Sequence, residues 1–239
     1  MINEEKIALI YFSRHATSEG RSKAWFSSAL TEKNSSLASS LITQSTKVLR
    51  QAGFPVFHYH EDNQQGITFG ERIANACQEV FALGYEAVIT VGNDCPEMGN
   101  TNWHEIRQQL ISGKCVIGPS LRGGAYLIGM TKKVFDKEHF QKLPWQTSRL
   151  FTALLEFCEL PHESPCLLVS LRDINTLHDV KKLLKSEILD GNLKRTLLRL
   201  LFQKSKHAAP QSGYLPTFPV LSDSPFRAPP ALLFSCVSW

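Results

Sequence analysis

The sequence predicts an α/β protein, a three-layer αβα sandwich around a mostly parallel sheet. The first observation is an alternation of short apolar strands and longer amphipathic helices over residues 7–91. The second is that the connections are short, which favours parallel neighbours joined by helical crossovers. The third is that the strand over residues 87–91 stops abruptly at the polar segment GNDCPE. In parallel sheets, ligands bind beyond the carboxyl ends of the strands.

The first half of the chain supplies this alternation. KIALIYF, residues 6–12, is a continuous apolar run of the length and composition of a buried strand. Apolar residues at helical spacing predict a helix over 34–51, and a second strand follows at 55–60. A helix over 71–83 then leads to the strand at 87–91. SRHATSEGRSKAWF, between the first strand and the first helix, is expected to be a polar loop.

The second half continues with elements of both kinds. Strands are expected at 115–118, 125–130 and 166–171, and helices at 103–111, 148–160, 176–184 and 192–202. From about Ser205 the composition changes, because half of the twelve prolines lie in the last 35 residues together with many apolar side chains. We therefore expect a domain over residues 1–204 and a Pro-rich C-terminal arm over 205–239, packed on its own domain or on a second subunit.

Composition excludes several classes of protein. The chain of 239 residues carries a formal net charge of +4, and no long basic run indicates nucleic-acid binding. No apolar run is long enough to span a membrane, and the acidic start of MINEEKIALIYFS differs from a signal peptide. The six cysteines lack CxxC spacing, which favours reduced thiols over a disulfide framework or a zinc site. A cytoplasmic protein with anionic small-molecule partners is expected.

Five segments carry a resemblance to a known family. They are QQGITFGER, VGNDCPEM, VIGPSLRGGAYLIGM, LPWQTSRLF and LRDINTLHDVKKL. The chain resembles, over roughly residues 7–184, bacterial transferases related to the nucleotide-diphospho-sugar transferases. The resemblance implies the Rossmann-like A-type glycosyltransferase fold, which is shared with MobA-like and phospholactate guanylyltransferase-like nucleotidyltransferases.

The resemblance also implies a site. Asp94 would hold Mg²⁺ or Mn²⁺, which bridges the diphosphate of a nucleotide-activated donor. The loop after the first strand would wrap the nucleotide, and further positions would line its other side or approach the donor sugar or acceptor. The implied binding residues are Arg14, Gly20, Arg21, Lys23, Gln65, Gly66, Arg72, Gly123, Gly124, Trp145 and Thr147. For Trp145 and Thr147, a hydrophobic staple and a helix cap are equally good interpretations.

Three departures from the family pattern bear on chemistry. Arg122 stands before Gly123-Gly124 where the family has Asp, Trp25 stands where it has Arg, and Asn175 stands where it has Asp. An arginine about 4 Å from a bound cation would repel it by roughly 4 kcal/mol at an effective dielectric of 20.

Three interpretations follow from these departures. Arg122 points away and Asp94 keeps its metal, or Arg122 acts catalytically by pairing with the diphosphate. In the third, the chain is a catalytically degenerate nucleotide-binding or protein-interaction module. The first two make the protein a glycosyltransferase or nucleotidyltransferase acting on a nucleotide sugar or NTP and an unknown acceptor. A homodimer through the C-terminal arm is a further expectation.

Two other groups of residues have alternative interpretations. His58 and His60 would face one side of a strand and could ligate a metal, but a packing role is the expectation without a third ligand. Cys95 beside His104 could be an activated thiol. The chain offers no third residue to orient that pair, so a structural cysteine is expected.

Overall fold

A computed structural model describes residues 2–159, 164–187 and 189–203. The strands are β1 (Ile7–Phe12), β2 (Val56–Tyr59), β3 (Ala87–Val91), β4 (Val116–Pro119), β5 (Ala125–Thr131) and β6 (Cys166–Leu167). The α-helices are α1 (Ala16–Lys23), α2 (Thr31–Gln51), α3 (Phe69–Ala82), α4 (Trp103–Ile111), α5 (Lys137–Gln141), α6 (Leu150–Glu159), α7 (Leu177–Leu183) and α8 (Gly191–Phe202). Short 3₁₀ helices span Glu4–Lys6 and Pro96–Asn100.

The six strands form one sheet in the order β2-β1-β3-β5-β4-β6. β1 pairs in parallel with both β2 and β3, and β4 pairs in parallel with β6. β5 is antiparallel to its neighbours β3 and β4. The connection from β4 to β5 is too short for a crossover, so this pair can only be antiparallel. The α/β fold with a mostly parallel sheet is confirmed.

The sheet is buried on both faces, which explains the continuous apolar run of β1. Ala8, Ile10 and Phe12 pack into one core with residues of α3 and α6. The intervening residues of β1 pack into a second core, with residues of α2 and α4. Parallel strands covered by helices on both sides show this pattern rather than polar alternation.

The expected loop after β1 is wrong, because residues 16–23 form helix α1. Gly20 allows this helix to lie directly on α2: a Cβ at Gly20 would be 2.7 Å from the Ser35 backbone nitrogen. Ala24 ends α1 in the left-handed conformation, and its N–H donates to the Gly20 carbonyl. Helix α1 therefore depends on its packing against α2, which the local sequence does not predict.

Trp25 follows α1 and belongs to a third core with residues of α2, α7 and α8. Its indole N–H donates to the carbonyl of Ile174 at 2.9 Å. At this departure from the family pattern, the chain therefore has an aromatic side chain that belongs to the core.

The last strand of the sheet is shorter than the sequence predicts. β6 spans two residues instead of 166–171, although Leu171 still forms a bridge with Ser120. The predicted C-terminal arm, and with it the homodimer prediction, lies outside the described residues. In the described part of the chain, none of the helices combines the length and apolarity needed to cross a membrane.

Candidate functional site

A cleft of about 490 Å³ lies beyond the carboxyl ends of β1 and β3. Arg14 enters it from the residues after β1, and Asn93 and Asp94 enter from those after β3. Arg72 from α3 and Arg122 from the β4–β5 connection also line it. The remaining charged lining residues are Glu19, Lys23 and Asp173. The cleft therefore combines four cationic side chains with three carboxyl groups at the position where such sheets bind ligands.

Asp94 is paired with Lys23 of α1. The Lys23 Nζ atom lies 3.0 Å from Asp94 Oδ2 and 3.7 Å from Glu19 Oε1. Lys23 also donates to the side-chain oxygen of Asn175. The Asp94 carbonyl accepts a hydrogen bond from the Ile174 N–H at 2.9 Å, which joins the two loops that carry Asp94 and Asn175. One ammonium group thus sits among three oxygen-bearing side chains.

Glu19 is a buried carboxyl at the wall of the cleft. Burial, followed by the negative charge of Asp94, raises the pKa of Glu19 to about 7, although Lys23 and Arg14 act in the opposite direction. A carboxyl with a pKa in this range can gain or lose a proton near neutral pH. Sequence reasoning missed Glu19 because its segment was interpreted as a loop; the i,i+4 spacing of Glu19 and Lys23 was the available signal.

Arg122 is held by Asp179 and by the backbone of Asp173. Its Nη2 donates to both carboxylate oxygens of Asp179, at 2.9 and 2.8 Å, and its Nη1 donates to the Asp173 carbonyl at 3.0 Å. Asp179 also accepts from the backbone N–H and hydroxyl of Thr176 at the start of α7. Arg122 is anchored to a helix N-terminus, so its charge is largely balanced.

The residues around Asp94, as arranged, do not fit the divalent ion that the resemblance implies. Asp94 Oδ2 is already paired with an ammonium group, and Asn175 offers a neutral oxygen where the family has a carboxylate. Among the described residues, Asp94 is not part of a group of three converging His, Cys or acidic ligands. A doubly charged ion beside Lys23 would meet strong repulsion. Mg²⁺ or Mn²⁺ at Asp94 stays a prediction.

The structure brings most of the predicted site residues to the cleft. Its lining includes Arg14, Lys23, Arg72, Asp94, Arg122, Gly124, Trp145 and Thr147. The other predicted positions, which do not line it, are Gly20, Arg21, Gln65, Gly66 and Gly123. Gln64 lines the cleft in place of its neighbour Gln65, and its side chain donates to the Ser13 carbonyl at 2.9 Å.

The fold itself requires a glycine at position 123, whether or not a ligand binds nearby. Its φ is +82°, and a Cβ there would lie 2.1 Å from the carbonyl oxygen of Ser148. Gly20 is likewise explained by the contact of α1 with α2. These glycines were predicted to approach the nucleotide or donor, but in the structure they approach other parts of the chain.

Trp145 and Thr147 combine local structure with access to the cleft. The Trp145 indole N–H donates to the Phe140 carbonyl at 2.9 Å, and the ring packs against Phe69 and Phe140. Thr147 Oγ1 donates to the Pro144 carbonyl at 2.7 Å and accepts from the Arg149 N–H at 3.3 Å. Both residues donate hydrogen bonds from the segment that connects α5 to α6, and both also line the cleft.

The activated-thiol hypothesis for Cys95 is wrong. Burial, together with the charges of Asp94 and Asp173, raises the pKa of Cys95 well above its usual value. His104 is an exposed residue of α4. All five cysteines of the described residues are free and most are buried, as expected for reduced structural thiols.

Comparison with known proteins supports this fold. Residues 35–147 match the sequence profile of a family described as "Uncharacterized protein conserved in bacteria (DUF2064)". The structure is similar, with a TM-score of 0.70 and 20% identity, to the crystal structure of a "putative nucleotide-diphospho-sugar transferase" from Desulfovibrio desulfuricans G20. The match covers 81% of this chain and 94% of that chain. No functionally curated protein matches the chain.

Two more distant structures also match. One is a glycosyltransferase involved in glycosylation of the major capsid of PBCV-1, with a TM-score of 0.41, 11% identity and coverage of 68% of this chain and 80% of that chain. The other is a CMP:2-keto-3-deoxy-manno-octonic acid synthetase complexed with CTP, with a TM-score of 0.34 and 9% identity. That match covers 74% of this chain and 95% of the other. Both similarities are too weak to indicate a function for this chain. The resemblance to nucleotide-diphospho-sugar transferases is confirmed as a fold, and the MobA-like relationship stays a prediction.

Proposed function

We propose that this protein is a transferase that binds a nucleotide-activated donor, a nucleotide sugar or an NTP, in the cleft beyond β1 and β3. The observation that carries the proposal is the Lys23–Asp94 pair, which lies at the carboxyl edge of the sheet within a cleft lined by four cationic side chains and three carboxyl groups. Similarity of fold to a protein described as a nucleotide-diphospho-sugar transferase supports the choice of donor. The donor's diphosphate is the group that this charge distribution suits.

The positive charge beside the diphosphate comes from the chain itself in this proposal. Arg14 and Arg72 are the cleft arginines for which a phosphate is a suitable partner, because Arg122 is paired with Asp179. The Lys23 ammonium has three donor hydrogens, so Asp94 and Asn175 leave one for a phosphate oxygen. Lys23 thereby supplies charge at the place where the resemblance expects a divalent ion.

Glu19 supplies the proton-transfer group. Its carboxyl lies 3.7 Å from Lys23 Nζ and lines the same cleft. With a pKa of about 7, it accepts a proton from an acceptor hydroxyl more readily than an ordinary carboxylate does. In glycosyl transfer, the acceptor oxygen would bond to the anomeric carbon as the bond from that carbon to the diphosphate breaks, releasing a nucleoside diphosphate. In nucleotidyl transfer, it would bond to the α-phosphorus as the bond from that phosphorus to the α–β bridging oxygen breaks, releasing pyrophosphate.

The first experiment measures binding of a panel of nucleotide sugars and NTPs by thermal shift and calorimetry, in chelator and again with Mg²⁺ or Mn²⁺. We expect at least one donor to bind without metal, and Lys23→Met to weaken it tenfold or more. Lys194→Met, at an exposed lysine of α8, is the matched control. Release of the nucleoside phosphate or pyrophosphate with an acceptor panel then tests turnover.

The variant Asp94→Asn distinguishes a site in which Lys23 supplies the positive charge from one in which Asp94 holds a metal ion. If Lys23 provides the charge, metal-free binding survives in Asp94→Asn, because the ammonium loses only a competing partner. If Asp94 holds a metal, binding requires Mg²⁺ or Mn²⁺ and is lost in this variant. Failure of every donor to bind would overturn the proposed function. Donor binding without turnover would favour the nucleotide-binding module over the transferase.

A further inference from the structure

His15, His60 and Asp62 meet at the outer side of the carboxyl edge of the sheet. His15 precedes α1, His60 follows β2, and Asp62 lies in the turn after it. One ligand atom of each residue lies within 4.8 Å of the other two. His15 Nε2 is 2.9 Å from Asp62 Oδ2, and His60 Nδ1 is 3.5 Å from the same oxygen. The structure therefore supplies the third ligand that the sequence left open for the histidine pair, although the partners of His60 are His15 and Asp62 rather than His58.

We propose that His15, His60 and Asp62 form a zinc-binding site with one open coordination position. Imidazole nitrogens and a carboxylate oxygen are ordinary Zn²⁺ ligands, with metal–ligand distances of about 2.0–2.2 Å. Ligand atoms around a tetrahedral ion at such distances lie roughly 3.3 Å apart. The observed separations of 2.9 and 3.5 Å are close to that value. The third separation, between the His15 and His60 nitrogens, is within 4.8 Å, so these two rings would move closer to each other on binding.

The backbone already holds the ligands together without an ion. The His15 N–H donates to the carboxylate of Glu61 at 3.2 Å, which ties the residues after β1 to those after β2. The His60 N–H donates to Asn63 Oδ1 at 2.7 Å, and the His60 carbonyl accepts from the N–H groups of Asn63 and Gln64 at 3.0 Å. The turn that carries Asp62 is thus fixed relative to His60. A prearranged ligand set loses little conformational freedom on binding.

The two rings also point their ligand atoms at the shared space. The His15 and His60 rings pack at 4.8 Å between centroids with an angle of 39° between their planes. The Asp62 N–H is 3.4 Å from His60 Nδ1, which places an acceptor lone pair on that nitrogen. This hydrogen bond is long, and coordination to Zn²⁺ would replace it at small loss.

His58 does not join the ligand set. Its Nε2 is 2.8 Å from the Ser13 hydroxyl, and its ring stacks on Tyr11. The proposed site also differs from the metal prediction at Asp94 in its chemistry. Mg²⁺ prefers oxygen ligands, whereas two imidazoles favour Zn²⁺ and related transition metals. Because Arg14 adjoins His15 and Gln64 follows Asp62 by two positions, a bound ion would steady two residues that line the cleft.

The test uses the full chain, stripped of metal with a chelator and desalted. Zn²⁺ is titrated by calorimetry, and Co²⁺ is followed by its visible absorption. We expect one ion to bind per chain, and His15→Ala, His60→Ala and Asp62→Asn each to weaken binding tenfold or more. His104→Ala, an exposed histidine of α4, is the matched control and should bind as the parent protein does. Circular dichroism checks that each variant is folded.

Three outcomes would overturn the site. They are absence of Zn²⁺ binding, binding by the His15→Ala and His60→Ala variants that is as tight as in the parent protein, and a cobalt–thiolate charge-transfer band, which would show cysteine ligation instead. His207→Ala tests a histidine outside the described residues; a loss of binding in this variant alone would also contradict the assignment. Adding Mg²⁺ in excess should not displace Zn²⁺, because the proposed ligands include two nitrogens.

Discussion

Arg122 donates both of its Nη2 hydrogen bonds to the carboxylate of Asp179, at 2.9 and 2.8 Å. The Asp179 side chain is 1% exposed and that of Arg122 is 43% exposed. Asp179 also caps α7 through a reciprocal pair of hydrogen bonds with Thr176. The arginine that departs from the family pattern is therefore the partner of a buried helix-capping carboxylate. The ion pair with Asp179 therefore explains why an arginine is present at position 122.

Replacing Arg122 should destabilise the fold. In Arg122→Met, Asp179 keeps, among the residues that the structure describes, only Arg172 as a cationic partner, at 3.9 Å. A buried carboxylate left with too few partners is costly, and partial exposure of Arg122 reduces the effect. We expect a loss of about 1–3 kcal/mol in the free energy of unfolding, measured by urea denaturation. Arg149→Met, an exposed position before α6, should change it by less than about 0.5 kcal/mol. Equal effects would refute the anchoring role.

The contribution of Asp179 should depend on pH. Burial alone would raise its pKa, but the hydrogen bonds from Arg122 and Thr176 outweigh burial and lower the pKa of Asp179 to about 2. Because the folded-state pKa is below the unfolded value of about 3.9, the stabilisation is complete above about pH 5 and is lost progressively as the pH falls through about 2. The difference in unfolding free energy between the parent protein and Asp179→Asn should shrink from pH 6 to pH 3. A constant difference would contradict this assignment.

The contribution of Glu19 to the free energy of unfolding should change with pH in the opposite direction to that of Asp179. Its pKa is raised to about 7, chiefly by burial and by Asp94, so ionisation opposes folding once the pH exceeds the unfolded value of about 4.3. Glu19→Gln should stabilise the protein on the order of 1–3 kcal/mol at pH 8 and have little effect at pH 4. Urea denaturation at both pH values measures this. Glu32→Gln, an exposed position in α2, is the control, and destabilisation of Glu19→Gln at pH 8 would show that its pairing with Lys23 dominates.

Gly123 should tolerate alanine less well than Gly113 does. Both have positive φ, +82° and +95°, so alanine is strained at either position. Only at Gly123 would the new Cβ meet the Ser148 carbonyl, at 2.1 Å, whereas nothing lies within 4 Å at Gly113. We expect Gly113→Ala to cost about 1 kcal/mol and Gly123→Ala at least about 2 kcal/mol more. Equal losses, measured by thermal unfolding, would mean that the chain relaxes around Gly123.

Much of the fold could be predicted because its signals are local. The apolar run of β1, the helical periodicity of α2 and α3, and the glycines Gly53 and Gly84 that follow these helices are visible in the sequence. Helix α1 could not be predicted in this way. It is short and polar, and its stability comes from contact with α2, which only the folded chain provides.

The position of Asp94 at the carboxyl edge of the sheet followed from the sequence, because a strand that ends in GNDCP must display its next residues there. The partners of Asp94 did not follow, since Lys23 and Asn175 are 71 residues before it and 81 residues after it in the chain. Likewise, the sequence showed His60 and Asp62 but not that His15 meets them. Local periodicity determines which elements form. Only packing among them decides which charges share a space, and that decision depends on tertiary distances that no short stretch of sequence contains.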